Sequence, residues 1–209
     1  MPELDIAWTI FIVTSLVLIA TPGQDMMLVM SRALARGTGT GVVTAAGVSV
    51  GLVGHTLLAT LGLGALLRAS DWLFVALKLI GAGYLVYLGI QLLRTKAAVP
   101  GFALPAAGSL RRAFRDGALS NLSNPKIAIF YFAFLPQFVA TGSPHPTLAI
   151  FVLGLAFAAL TFIVKALVGV CAGMLSSWLR TKPSRLAWVH RCSGAILIAL
   201  GVRLALEKR

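Results

Sequence analysis

Charged side chains are scarce in this chain of 209 residues. They make up 11% of it, whereas hydrophobic residues make up 58%, and ordinary soluble domains carry roughly a quarter charged residues. A soluble core cannot absorb so much apolar surface, so the composition excludes an ordinary soluble domain. The sequence instead predicts an all-α integral membrane protein with a single domain over residues 1–209. Six apolar stretches approach or exceed the roughly 20 residues that a spanning helix needs: about 6 to 30, 41 to 67, 72 to 93, 113 to 139, 147 to 179 and 187 to 206.

Acidic residues are scarcer still, because six Asp and Glu stand against 18 Lys and Arg, which gives a net charge of +12. Such a charge is compatible with nucleic-acid binding, but its distribution indicates a membrane topology instead. With six spans, eleven Lys and Arg lie in the connections after spans one, three and five, and four lie on the other side. Since Lys and Arg collect on the cytoplasmic side, both termini are predicted outside the cytoplasm, and no nucleic-acid partner is expected.

Basic residues are also missing ahead of the first span, where Glu3 and Asp5 precede the apolar run. A cleaved signal peptide begins with basic residues, so we expect this segment to be retained. Cysteine is limited to Cys171 and Cys192, which lie in apolar spans without metal-ligand spacing. We expect two buried thiols, with no disulfide, no metal site and no cofactor.

Two short polar segments interrupt the apolar runs. The first is IATPGQD at residues 19–25, and the second is LSNPK at residues 122–126. In each, a residue that caps helices well, Thr21 or Asn124, precedes a proline, which suits the first helical position because it lacks an N–H group. Each segment is therefore predicted to start a new helix inside a longer one. The free N–H groups and the positive dipole end at each break would suit an anion such as a carboxylate.

Polar residues recur at helical spacing beyond the first break and before the second. Asp25, Arg32 and Arg36 are seven and four residues apart, so they fall on one helical face. Before the second break, four residues recur at every fourth position: Arg112, Asp116, Ser120 and Asn124. With both termini outside, these two polar half-helices are predicted on the cytoplasmic side, and the apolar halves at 6–20 and 126–140 on the outer side.

Spans three and six align without gaps at an offset of 112 residues, which pairs Gly89 with Gly201. Together with the breaks in spans one and four, this alignment predicts two three-helix repeats, at about 1–94 and 110–209, joined by a flexible linker at about 95–109. Because three is odd, the second repeat would be inserted upside down. Such inverted-topology repeats with broken helices are typical of transporters.

Interrupted helices at corresponding positions of two inverted halves indicate a transport site. The residues of both breaks, with two ionisable residues of spans two and three, are therefore candidates for substrate binding or coupling. They are Thr21, Pro22, Gly23, Gln24, Asp25, His55, Lys78, Asn124, Pro125 and Lys126.

Each ionisable candidate has a structural alternative, which the sequence leaves open. Asp25 either serves transport or stabilises a helix N-terminus, and Lys126 either meets a carboxylate or is a solvated lysine. Lys78 either contacts substrate or extends its charge to the interface. His55 either carries a proton or packs in neutral form beside glycines. Lys165 has no break nearby, so we expect a structural role for it.

Other patterns indicate helix packing. Gly47 and Gly51 lie four residues apart in span two, and such glycines let a neighbouring helix approach closely, so we expect a packing seam there. The aromatic run at 130–134 is also expected to serve helix packing. Because small-residue seams serve contacts within and between chains alike, the sequence leaves homo-oligomerisation open.

Several of these motifs resemble those of the LysE/RhtB family of bacterial amino-acid exporters. The resemblance rests on PGQD at 22–25, the stretch 78–89, NPKIA at 124–128 and FLPQF at 134–138. It implies a six-span inner-membrane protein that exports amino acids such as threonine, homoserine, leucine or lysine by proton antiport. Gln24 departs from the family, in which a second proline is more common. The motif residues that carry over are Pro22, Gly23, Asp25, Asn124, Pro125 and Lys126.

Two other functions are compatible with an apolar chain of this kind. A divalent cation exporter of the same superfamily needs carboxylates within the membrane, where Asp25 stands against three lysines. An intramembrane enzyme needs a nucleophile with a base or a metal cluster, and neither His55 nor His190 is flanked by such a set. The predicted function is therefore amino-acid export, with the amino acid, protons and the bilayer as partners and without enzymatic activity.

Overall fold

The computed structural model describes residues 6–69, 71–94, 109–139, 143–172, 174 and 183–206. Within these ranges the chain is helical without a β-strand, and an isolated antiparallel bridge joins Ile6 to Val139. The predicted all-α class is therefore confirmed, whereas residues 95–108 of the predicted linker lie outside the description. The helices are α1 (Trp8–Ala20), α2 (Gln24–Arg36), α3 (Thr38–Ala69), α4 (Asp71–Arg94), α5 (Leu110–Leu122), α6 (Pro125–Phe134), a 3-10 helix (Leu135–Phe138), α7 (Pro146–Val170) and α8 (Pro183–Leu206).

Two helices in the described part of the chain are by themselves long and apolar enough to cross a membrane. They are α3, over Thr38–Gly62, and α7, over Pro146–Val170. α1 and α2 make a third candidate if they are one span, bent by 56° at the break. The remaining predicted spans coincide with α4, with α5 followed by α6, and with α8. Both interruptions therefore lie where the sequence predicts them.

α3 and α5 approach to backbone contact through glycine. A Cβ atom at Gly47 would overlap the α5 backbone, and one at Gly51 would lie 2.8 Å from the Asn121 Cβ atom. On α5, a Cβ atom at Gly117 would overlap the Thr44 carbonyl of α3. The predicted seam at Gly47 and Gly51 is confirmed, and its partner is the half-helix that leads into the second break.

α4 and α8 pack just as closely. A Cβ atom at Gly89 would lie 2.6 Å from the Gly194 carbonyl oxygen, and one at Gly194 would lie 2.7 Å from the Gly89 oxygen. Further along α8, a Cβ atom at Gly201 would lie 2.7 Å from the Ala82 oxygen of α4. The third and sixth predicted spans therefore form one tight pair of helices.

An aromatic cluster joins the ends of α1 and α6 that lie away from the breaks. Phe11, Phe134 and Phe138 are buried, with ring centroids 5.2 Å apart for Phe11 and Phe138 and 4.8 Å apart for Phe134 and Phe138. The Ala7 N–H also donates to the Phe138 carbonyl at 3.0 Å. These contacts close the apolar end of the bundle, between α1 and the 3-10 helix.

The outer surface of the bundle is apolar. Leu61 is 72% exposed and Leu167 is 60% exposed, which is typical of a surface in contact with lipid rather than water. Cys171 and Cys192 are also exposed, as free thiols, so the prediction that they are buried is wrong. A thiol behaves as a small hydrophobic group, and it is therefore as compatible with a lipid-facing surface as with a core.

Candidate functional site

The two breaks face one cavity of about 380 Å³. The first break contributes residues 21–25, and the second contributes Asn124 and Lys126. The volume lies near the lower end of the roughly 300–1,000 Å³ of small-molecule sites. Two segments that are about one hundred residues apart in sequence thus form a single site with room for a small molecule.

The other predicted site residues lie apart from this wall. Pro125 lines a second pocket of about 490 Å³, which shares Gln24 and Asn124 with the first. His55 is 2% exposed and does not line either cavity in the described residues. The backbone of Lys78 lies in α4, and its side chain is outside the description.

The first break has no side-chain cap in the described part of the chain. α2 begins at Gln24, and its N-cap is Gly23, whose φ of −135° and ψ of −173° are extended. The prediction that Thr21 caps this helix is therefore wrong, because Gly23 delays the helix start. The Thr21 hydroxyl instead donates to the Val17 carbonyl at 3.0 Å and contacts the Ser193 hydroxyl on α8. The first N–H groups of α2 therefore have no side-chain cap among the described residues, which leaves them available to a ligand or to water.

The second break is closed by its own residues. α6 begins at Pro125, and the Asn124 Oδ1 atom accepts from the Lys126 N–H at 3.1 Å. The Asn124 carbonyl accepts from the Ile127 N–H, also at 3.1 Å. Asn124 is the predicted cap, which is confirmed. The expectation of free N–H groups is wrong at this break, because proline has none and the cap uses the next.

Asp25 presents one fixed and one free carboxylate oxygen. The residue is 9% exposed, and its Oδ2 atom accepts from the Asn121 Nδ2 at 2.8 Å. Its Oδ1 atom is buried without a hydrogen-bond partner among the described residues. A buried carboxylate oxygen without a donor is costly, so a donor from a bound molecule would be stabilising here.

Asn121 connects Asp25 to His55. Asn121 is fully buried, and its main-chain carbonyl oxygen lies 3.1 Å from the His55 Nε2 atom. The His55 ring also lies 6.0 Å from the Tyr131 ring, centroid to centroid, so this histidine is packed against two helices. Asn121 is not among the residues predicted from the sequence, because it lies one position away from the polar stripe. Its four-residue spacing from Gly117 on the seam face of α5 is the signal that could have found it.

Lys165, for which the sequence predicts a structural role, lines the cavity. It lies on α7, is 7% exposed, and lines the cavity together with Lys126 and Asp25. One turn earlier, Thr161 is 2% exposed, and its hydroxyl has no hydrogen-bond partner in the described part of the chain. The cavity therefore holds two ammonium groups and one carboxylate among its described lining residues.

Apolar side chains form the rest of the cavity wall. Phe130 is one of them, and its ring also stacks on Phe134 with a centroid distance of 4.7 Å. The aromatic run thus serves packing, as predicted, and also lines the site. A molecule with a charged head and an apolar side group fits such a wall. The apolar residues are Leu18, Ile19, Leu52, Leu88, Ile127, Phe130, Phe157 and Leu197.

The two polar half-helices, α2 and α5, face each other beside the cavity. The Arg32 Nη2 atom lies 2.7 Å from the Asp116 Oδ2 atom, and the Arg112 Nε atom lies 3.8 Å from the same oxygen. Nearer the breaks, the Gln24 amide donates to the Ser120 hydroxyl at 3.4 Å. These side-chain contacts close the gap between α2 and α5.

A helical membrane bundle in which two broken helices enclose a cavity with charges of both signs is the arrangement of a membrane transporter. Comparison with known families agrees. Residues 16–208 match the family of LysE type translocators, and the chain belongs to that family. It is accordingly a transporter and not an enzyme.

The alignments with three related proteins extend over nearly the whole chain. An uncharacterised membrane protein of Pseudomonas aeruginosa is 32% identical over 212 residues, which cover 98% of each chain. The homoserine/homoserine lactone efflux protein of Salmonella typhimurium is 29% identical over 198 residues, which cover 95% of each. An uncharacterised membrane protein of Vibrio cholerae is 30% identical over 201 residues, 96% of this chain and 97% of the relative. No solved structure matches the chain.

Proposed function

We propose that this protein exports amino acids or close derivatives from the cytoplasm across the bacterial inner membrane, in exchange for protons. The observation that carries the proposal is the shared cavity. In it, the carboxylate of Asp25, whose Oδ1 atom has no hydrogen-bond partner among the described residues, and the ammonium of Lys126 lie beside an apolar wall. An amino acid carries the complementary charges on adjacent atoms. The efflux of homoserine named for a relative is consistent with a substrate of this kind.

The cavity offers a partner for each part of a zwitterionic amino acid. The ammonium group of the amino acid donates to the free Oδ1 atom of Asp25. Its carboxylate accepts from Lys126 and from the uncapped N–H groups of the first turn of α2, where the helix dipole favours negative charge. Its side chain packs against Phe130 and its apolar neighbours in the wall.

Access from the cytoplasm passes between α2 and α5. The ion pair of Arg32 with Asp116 closes this route, so it separates when the substrate enters. The aromatic cluster of Phe11, Phe134 and Phe138 closes the other end and opens for release. The two repeats rock around the fixed site to alternate between these states.

Proton exchange is assigned to Asp25. Protonation of this carboxylate from the outer side removes the charge that holds the substrate ammonium, so it promotes release. The other titratable groups around it are Lys126 and Lys165 in the cavity wall and His55, which lies behind Asn121. Deprotonation toward the cytoplasm restores the binding state.

The same proposal includes six spans in two inverted repeats, at about 1–94 and 110–209, with both termini outside the cytoplasm. The packing of α4 and α8 supports it. The predicted offset of 112 residues relates Gly89 to Gly201 and Ala82 to Gly194. It therefore converts the contact between Gly89 and Gly194 into the contact between Gly201 and Ala82, and both contacts are present. A twofold relation between the repeats predicts such an exchange.

A panel of radiolabelled amino acids in reconstituted vesicles tests the function. Homoserine, threonine, leucine and lysine are loaded inside vesicles, and their release is followed with and without a pH gradient. We expect at least one of them to leave faster when the pH gradient is imposed than in its absence. If every amino acid left the vesicles that contain the protein no faster than it left protein-free vesicles, the proposal would be contradicted. Release of a divalent cation instead would indicate the cation exporter, which the two lysines of the cavity disfavour.

A further inference from the structure

Two buried polar side chains on α7 point to a second part of the binding site. Lys165 and Thr161 line the cavity at 7% and 2% exposure. They are four residues apart, so they lie on one face of the helix. Among the described residues, neither side chain has a hydrogen-bond or ion-pair partner.

An ammonium group in this position needs an anion. A lysine within a membrane is costly unless it faces a partner or a wet cavity. Asp25 interacts with Lys165 electrostatically, but its Oδ2 atom is hydrogen-bonded to Asn121, and a second lysine, Lys126, lines the same cavity. The described cavity wall thus holds one more positive than negative group. A bound carboxylate would balance this excess.

We infer that Thr161 and Lys165 bind the substrate carboxylate and restrict the substrate to carboxylates whose side chain is apolar and carries no positive charge. The inference rests on the proposed function and adds the substrate class. A carboxylate has about four lone-pair sites, so it accepts from Thr161 and Lys165 on one side and from Lys126 on the other. A lysine or arginine substrate would add a positive charge to a cavity that already has an excess.

Equilibrium binding to the purified full-length protein tests this inference with three probes of one shape and with lysine, whose side chain adds a positive charge. Leucine carries both charges, 4-methylpentanoate lacks the ammonium group, and leucinamide lacks the carboxylate. We expect the wild-type protein to bind leucine and 4-methylpentanoate, and to bind leucinamide and lysine at least tenfold more weakly than leucine. Equal binding of leucine and leucinamide, or no binding of either carboxylate, would overturn the inference.

Variants of α7 identify the residues. Lys165→Met should weaken both carboxylates at least tenfold without weakening leucinamide, and Lys165→Arg should retain the preference. Thr161→Val, which removes the hydroxyl at nearly constant shape, should weaken the carboxylates about threefold. Arg36→Met removes an exposed positive charge from α2 and serves as the matched control, with unchanged binding. Lys165→Met removes a buried charge without changing volume greatly, so its thermal unfolding midpoint should be at least that of the wild type.

The outcome separates this inference from the function it builds on. If Lys165→Met binds leucine and leucinamide in the wild-type ratio, the inference is wrong even when vesicle efflux occurs. If the binding preferences hold and no amino acid leaves loaded vesicles, the assignment of export is wrong and the carboxylate site remains.

Discussion

The two helix breaks have similar sequences and different N-termini. At the first, Gly23 is an extended N-cap without a side-chain oxygen, and the first turn of α2 has no cap among the described residues. At the second, Pro125 and the Asn124 cap leave little free hydrogen-bonding capacity. The first break is therefore suited to receive an anion, whereas the second is a finished helix start that presents Lys126. Matching sequence motifs thus do not imply equivalent chemistry.

The contacts that α5 makes with α3 and with α2 also differ. α5 contacts α3 at backbone level through Gly47 and Gly117. α2 faces α5 through side chains instead, above all through the ion pair of Arg32 with Asp116. Side-chain contacts exchange at lower cost than closely packed backbones do, because packed interiors resist small changes in volume. We therefore expect the contact between α2 and α5 to open during transport more readily than the contact between α3 and α5.

The largest effect is expected at Asp25, the titratable group of the first break. Asp25→Asn keeps the size of the side chain and removes its charge and its proton. We expect proton-coupled efflux from loaded vesicles to fall to the level of protein-free vesicles, while the protein stays folded. Size-exclusion chromatography and the thermal unfolding midpoint control for folding. Full coupling in this variant would refute the role of Asp25 and with it the special status of the first break.

The next effect concerns the contact between α3 and α5. Gly47→Ala adds a methyl group where it would overlap the α5 backbone, and overpacking of this kind costs about 1–3 kcal/mol. We expect a lower midpoint of thermal unfolding in detergent and reduced efflux. Gly39→Ala is the matched control on the same helix, because a Cβ atom there meets nothing within 4 Å. Equal midpoints for the two variants would show that α5 is not anchored at this seam.

The sequence predicts the breaks but not their local geometry. Proline after Thr21 and Asn124 locates both interruptions, because it removes a backbone donor. It does not reveal that Gly23 stays extended and moves the helix start, since a glycine accepts many backbone conformations. Asn124 caps as predicted because its side chain reaches the Lys126 N–H without help from other elements.

The missed residues depend on how the helices pack against each other. α7 is apolar along its length and has no break, so its sequence alone does not tell that Thr161 and Lys165 turn toward the cavity. Asn121 is hidden for a similar reason, because the polar stripe of α5 favours the neighbouring face. The glycine spacing in α3 predicts a seam, but α5 as its partner follows only from the assembled fold.

A smaller effect is expected when the first break is given a cap like that of the second. Gly23→Ser places a hydroxyl where it can accept from the first N–H groups of α2, so it competes with a substrate carboxylate. We expect the affinity for the transported amino acid to fall about tenfold, which equals about 1.4 kcal/mol. Gly23→Ala is the control, since a Cβ atom at this position has the Thr21 oxygen at 4.0 Å as its nearest neighbour. If both variants bind alike, the free N–H groups do not contribute to the site.

The smallest effect on transport is expected when the cap of the second break is removed. Asn124→Ala deletes the oxygen that accepts from the Lys126 N–H, and the loss of such a cap costs about 1 kcal/mol of stability. The cap satisfies the backbone and leaves the Lys126 ammonium unchanged, so we expect a lower unfolding midpoint with substrate affinity within about twofold of the wild type. Ser123→Ala, the neighbouring deletion that removes no cap from α6, should leave both quantities unchanged. A loss of affinity in Asn124→Ala as large as in Gly23→Ser would mean that the second break also binds the carboxylate through its backbone, and the distinction between an open and a closed break would not hold.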